Sequence, residues 1–119
     1  MKDIVLTVVL SSTLTLCLVY WVSHAQEVTR RIVLENARVQ VTERVIPPGG
    51  VRAQYVRASD QVIVFLNDAT YERTDSKTGQ KTIRKRKSGD VIWHQRGELA
   101  PKLVNVDQEA FRSLVIALK

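Results

Sequence analysis

From Gln26 onward, apolar and polar residues change places at strand-like intervals. Between Arg38 and Ile46, Val39, Val41 and Val45 alternate against Gln40, Thr42 and Arg44, the period of two that gives a strand one core-facing side. A shorter strand over Arg31 to Leu34 precedes it. The run halts at Pro47-Pro48-Gly49-Gly50, because proline cannot donate to a ladder and glycine permits a sharp corner. Val51 to Val56 predicts the next strand. Gln61 to Leu66 is almost wholly apolar and predicts a strand buried on both faces. Ala69 to Thr74 and Thr82 to Lys87 flank Asp75-Ser76-Lys77-Thr78-Gly79, a hairpin with a polar loop. Val91 to His94 follows the Gly89-Asp90 turn, and Phe111 to Leu118 is a final apolar strand. No stretch here has the period of a long amphipathic helix, and roughly eight or nine short strands suffice to close a small barrel or jelly roll. The expected fold class is all-β.

The N-terminus is a different object. Ile4 to Val22 carries no charge and ends on Ser23-His24-Ala25. Small residues at Ser23 and Ala25 resemble an Ala-x-Ala cleavage site, so residues 1–25 read as a signal peptide. The rival reading is an uncleaved anchor, since the segment nears the roughly 20 apolar residues that span a bilayer. Ser11, Ser12, Thr13 and Thr15 weaken the anchor and favour cleavage. On either reading residues 26–119 form one exported domain, periplasmic or secreted, with membrane contact only if the segment is uncleaved.

A length of 119 residues, 45% of them hydrophobic, leaves room for one small core and no second domain. The sole cysteine, Cys17, lies in the apolar segment, so the exported part forms no internal disulfide, and Leu16 before it argues against lipidation. The formal net charge of +6 survives loss of Lys2 and Asp3 together.

The succession Glu35-Asn-Ala-Arg-Val-Gln-Val, Ile46-Pro-Pro-Gly-Gly50, Val62-Ile-Val-Phe-Leu66, Gly89-Asp-Val-Ile-Trp93 and Phe111-Arg-Ser-Leu-Val-Ile116 resembles a small single-domain bacterial cupin over nearly the whole exported part. The resemblance implies an antiparallel β-barrel of jelly-roll type. It also implies a metal site, whose first-motif histidines would fall on Tyr55 and Arg57, its glutamate on Gln61 and its closing glycine on Asp68. In the second motif, marked by Gly89, Gln95, Gly97 and Asn105, the glycines and the asparagine are kept and Gln95 stands at the proline position, while the histidine position falls on Ala100 or Pro101. The ligands are gone. A first-row metal wants neutral imidazoles and a carboxylate, whereas Arg57 is a permanent cation, and the chain has two histidines in all, His24 and His94. The expectation is therefore no catalytic metal, no cofactor and no catalytic residue. An enzyme of isomerase or oxygenase type stands as the alternative.

The resemblance places Tyr55, Arg57 and Gln61 in the barrel interior. A guanidinium flanked by a phenol and an amide suits a small acidic or sugar-like ligand. The plainer reading pairs Arg57 internally with a carboxylate such as Glu43, which shares the alternation of Val41 and Val45. Trp93 reads as packing, and His94 lacks any visible carboxylate or nucleophile partner. A second candidate is the basic hairpin strand with Lys81, Arg84, Lys85, Arg86 and Lys87, either an anion-binding surface or a charged edge that blocks aggregation. No aromatic interleaving marks it for nucleic acid, so none is expected as a partner. A homodimer is a further expectation that the resemblance carries.

Overall fold

The structure, a computed structural model, describes residues 27–119; the signal peptide or anchor of residues 1–25 and Cys17 lie outside the described residues. Within them the alternating runs become eleven strands: β1 (Thr29–Glu35), β2 (Val39–Ile46), β3 (Val51–Arg52), β4 (Tyr55–Val56), β5 (Gln61–Phe65), β6 (Ala69–Thr74), β7 (Lys81–Arg86), β8 (Val91–His94), β9 (Leu99–Ala100), β10 (Lys102–Asn105) and β11 (Phe111–Leu118). A five-stranded sheet in the order β1-β2-β11-β5-β8 faces a four-stranded sheet β3-β10-β6-β7, with the short pair β4-β9 between their ends. Every pairing is antiparallel. This is the jelly-roll barrel that the pattern predicts.

The Pro47–Gly50 corner is held from outside its own sequence. Asn105, buried at the end of β10, donates from Nδ2 to the Ile46 and Glu109 carbonyls, each at 2.9 Å. Its backbone accepts from Gly49 N at 2.9 Å and donates to the Gly50 carbonyl at 3.0 Å. Gly49 has φ 74°, a left-handed conformation cheap only for glycine. At Gly50 an added Cβ would come within 2.8 Å of the Pro47 carbonyl oxygen. Both glycines are thus needed, for different reasons.

Three strand expectations change. Val51 to Val56 is broken at Ala53-Gln54 into β3 and β4, which join different sheets. β5 is not buried on both faces: Gln61, Ile63 and Phe65 point inward while Val62 and Val64 are half-buried on the outer side. β9 and β10 occupy a stretch where no strand is expected.

The largest correction concerns β2. Its inward residues are Arg44 and Ile46, not the valines. Register shows why: Arg44 lies opposite Ser113 of β11, which lies opposite Phe65 of β5, so all three share the inner face. Glu43 consequently points outward, where it receives Arg31 at 3.1 Å and Arg112 at 3.4 Å.

Along β2 and β5 the inward positions grade from apolar to polar, Ile46 to Arg44 on one and Phe65 and Ile63 to Gln61 on the other. Ile46, Ile63, Phe65, Ala69, Tyr71, Leu103 and Phe111 form one buried cluster, with the rings of Phe65, Tyr71 and Phe111 5.8 to 6.4 Å apart. Burial of each such aromatic or aliphatic side chain contributes about 1.5–3 kcal/mol. Beyond this cluster the inward positions turn to Arg44 on β2, Arg52 on β3, Gln61 on β5 and His94 on β8, and the barrel holds a charged floor above an apolar base.

Candidate functional site in the barrel interior

Tyr55, Arg57 and Gln61 come together as a hydrogen-bonded group. β4 delivers Tyr55, the loop after it delivers Arg57, and β5 begins at Gln61. Arg57 Nη1 donates to Gln61 Oε1 at 2.9 Å and to the Tyr55 hydroxyl at 3.1 Å. Its backbone is pinned as well, N to the Glu98 carbonyl and O from Gly97 N, both at 2.9 Å. Glu43 takes no part, so the expected internal ion pair is absent and Arg57 is held by two neutral acceptors.

Two further arginines, which the alternation of apolar residues places outside, complete the site. Arg44, Arg52 and Arg57 are 5%, 4% and 3% exposed, in a barrel where charged side chains are seldom so buried without partners. Arg52 donates to the Pro101 carbonyl. The guanidinium carbons of Arg52 and Arg57 stand 5.3 and 5.5 Å from the Tyr55 ring centroid, within cation–π range. The Nε atoms of Arg44, Arg52 and Arg57 are buried with no hydrogen-bond acceptor among the described residues.

These three, with Arg73 and Arg86, line one cavity of about 60 Å³ whose walls contain no Asp or Glu. None of the five makes an ion pair among the described residues. Burial lowers the Arg44 guanidinium below its usual range. Arg52 is lowered to about 10, first by burial and next by repulsion from Arg44. The guanidinium of an arginine keeps its charge in a protein at neutral pH. A wider recess of about 470 Å³ adjoins, sharing Arg44 and lined also by Tyr55, Gln61, Gln40 and Thr42.

His94 also reaches the cavity, and it has the partner that sequence does not reveal: Glu98, 3.1 Å from Nδ1. Burial and then Arg57 lower its pKa, with Glu98 opposing. Across β4 and β9, Tyr55 lies opposite Ala100, so positions from both sequence motifs do meet at one place. They bring a phenol, a guanidinium, an amide and a methyl group. This set does not fit a divalent cation, because the fixed positive charge repels the ion and none of these four groups is a carboxylate or an imidazole. Among the described residues no three His, Cys, Asp or Glu side chains gather to hold one.

The basic hairpin strand divides. β7 is an edge of its sheet, and Lys81, Arg84 and Lys85 are exposed on it. Lys81 lies 3.8 Å from Glu72, and Lys87 lies 4.0 Å from Asp68. Arg86 leaves this surface: its Nε donates to the Tyr71 hydroxyl at 3.3 Å and its guanidinium stands 6.0 Å from the Phe65 ring centre, lining the cavity.

No protein-family model matches the chain, and no curated protein matches it. Solved structures do. A cupin domain from Bordetella pertussis Tohama I superposes with a TM-score of 0.70 at 20% identity, covering 78% of this chain and 94% of that one. A polyketide cyclase from Streptomyces resistomycificus gives 0.64 at 21% identity, over 79% of this chain and 66% of the cyclase. An RmlC-like cupin family protein with a double-stranded β-helix fold from Methanocaldococcus jannaschii gives 0.58 at 14% identity, over 79% and 82%. The chain has the fold of cupin, double-stranded β-helix domains, as its sequence resemblance implies. At these identities the likeness is one of fold.

Proposed function

We propose that this is an exported cupin-fold protein that binds a small acidic molecule inside its barrel and performs no metal-dependent reaction. The observation that supports the reading is Arg57: a buried cation whose Nη1 is oriented by Tyr55 and Gln61 while no carboxylate neutralises it. Burying a guanidinium costs several kcal/mol unless an opposite charge compensates it, and a ligand carboxylate or similar oxyanion supplies that charge with matching planar geometry. The interior grades into an apolar base, so the charged end of the barrel is where a polar ligand gains most from desolvated donors. Export follows from the apolar, uncharged N-terminal segment with its small-residue end.

The test is a thermal-shift screen of small acids and neutral sugars on the wild type and Arg57→Ala. Acids stabilise the wild type by an amount that grows with the logarithm of their concentration above Kd, and the variant folds but loses the shift. A variant that cannot fold, with no acid stabilising the wild type, makes Arg57 scaffolding and ends the reading. The enzyme alternative requires about one equivalent of bound transition metal in the purified protein, which elemental mass spectrometry against a chelator-treated control detects.

A further inference from the structure

Taking that interior binding as the starting point, we infer that the ligand is a small dianion, of sulfate or phosphate size or a short dicarboxylate, seated against Arg44 and Arg52 as well as Arg57. One cation would suit a monocarboxylate. Here three guanidiniums, each at least nine-tenths buried, converge on one cavity, each with an Nε lacking an acceptor among the described residues. Arg73 and Arg86 add two more positive side chains to the same wall. No wall residue is acidic, and the Glu98 carboxylate, outside the wall, is engaged by His94 at 3.1 Å.

Size sets the other limit. A water needs about 10–15 Å³ of cavity measured this way, so a space of about 60 Å³ takes on the order of four or five non-hydrogen atoms. That admits a tetrahedral oxyanion, takes a two- to three-carbon diacid, which has more atoms than this, only where one end reaches into the adjoining recess that shares Arg44, and excludes a nucleotide or an intact sugar from the inner chamber. Neighbouring groups agree: Ile63, Phe65, Leu103 and Phe111 close the cavity from below, offering nothing to a long polar tail. Charge-assisted hydrogen bonds from converging guanidiniums are the strongest uncoordinated grip a protein has on such an anion, and they act at full strength only where water is excluded.

The experiment is calorimetric titration of the full chain at fixed ionic strength with sulfate, malonate, acetate and chloride. We expect sulfate or malonate to bind at least about tenfold tighter than acetate, as an additional charge-assisted contact implies, and the preference between the two separates tetrahedral from planar ligands. Arg52→Met and Arg44→Met each lose at least about tenfold in dianion affinity and lose less for acetate, so that the preference for the dianion narrows. Their ligand-free melting temperature stays level or rises, since each variant relieves repulsion among buried cations. Arg52→Lys keeps the charge but not the fork and gives an intermediate loss, a control should either methionine variant fail to fold. Equal binding of acetate and sulfate overturns the dianion and leaves the acid-binding reading standing. Undiminished sulfate binding in Arg52→Met, Arg44→Met and Arg52→Lys places the ion elsewhere and overturns the inference. If no acid binds, both readings fail together.

Discussion

Arg57 donates to the side-chain oxygen of Gln61 at 2.9 Å in the interior of the barrel, across four residues of chain that include a turn from β4 to β5. The bond aims the guanidinium without neutralising it. Gln61→Glu therefore supplies the missing counter-charge from within. The variant is expected to gain stability, by an amount up to that of a charge-assisted hydrogen bond, about 1.5–3 kcal/mol, and to lose the stabilisation by added acids. Urea unfolding with and without malonate measures both. A variant that binds malonate as well as the wild type places the ligand away from Arg57.

The acid limb of stability should report on His94. Burial and Arg57 hold its folded pKa below the ordinary 6.5, so between those two values the unfolded chain binds more protons than the folded one. Stability then rises with pH through that window and falls as pH drops below about 6.5. His94→Gln is expected to flatten the melting-temperature profile between pH 5 and 7, leaving the carboxylate-dependent fall at lower pH. Because a bound anion favours the imidazolium, sulfate affinity should strengthen as pH falls through the same window. Parallel profiles for variant and wild type contradict this.

Asn105 carries the corner at Pro47–Gly50. Its Nδ2 serves two backbone carbonyls and its Oδ1 accepts from Asp107 N at 2.9 Å. Asn105→Ala leaves the buried Ile46 carbonyl and the partly buried Glu109 carbonyl and Asp107 N without these partners and should cost about 2–4 kcal/mol, read as a lower denaturation midpoint at unchanged slope. A cost below about 0.5 kcal/mol, the range of ordinary surface changes, would mean the corner stands without it.

On β7 the two readings of the basic strand predict different failures. As an exposed edge, it offers an unpaired row of backbone groups whose lysines discourage strand addition. Lys81→Val with Lys85→Val is expected to make the protein associate at concentrations where the wild type scatters light as a single species. A double variant that stays dispersed but loses salt-dependent retention on a sulfated polysaccharide matrix would instead favour an anion-binding surface.

Turn chemistry made much of the fold legible. Pro47 to Gly50, Asp75 to Gly79 and Gly89-Asp90 each mark a corner where residue type alone forces the bend, and the strands between them lie where the pattern puts them. The pattern over Val51 to Val56 gives one strand in place of β3 and β4 because Ala53-Gln54 carries no proline or glycine to signal the break. The site was half legible. Tyr55, Arg57 and Gln61 follow from motif spacing, but Arg44 and Arg52 look like surface residues, since apolar positions normally mark the inward face. In β2 that rule inverts: Val41 and Val45 face outward, and the inward phase is given by Ile46, which shares its alternation with Arg44. The His94–Glu98 contact was hidden for another reason, as it spans a strand end and a turn whose geometry no local pattern encodes.

The central claim, that the buried arginines of the barrel await an anion, is tested most directly by anomalous scattering from crystals soaked in selenate, a dianion of sulfate shape. The account predicts one dominant selenium peak inside the barrel, with its oxygens about 3 Å from guanidinium nitrogens of Arg44, Arg52 and Arg57. Peaks confined to the β7 surface, or a carboxylate of the protein itself occupying that space, would contradict it.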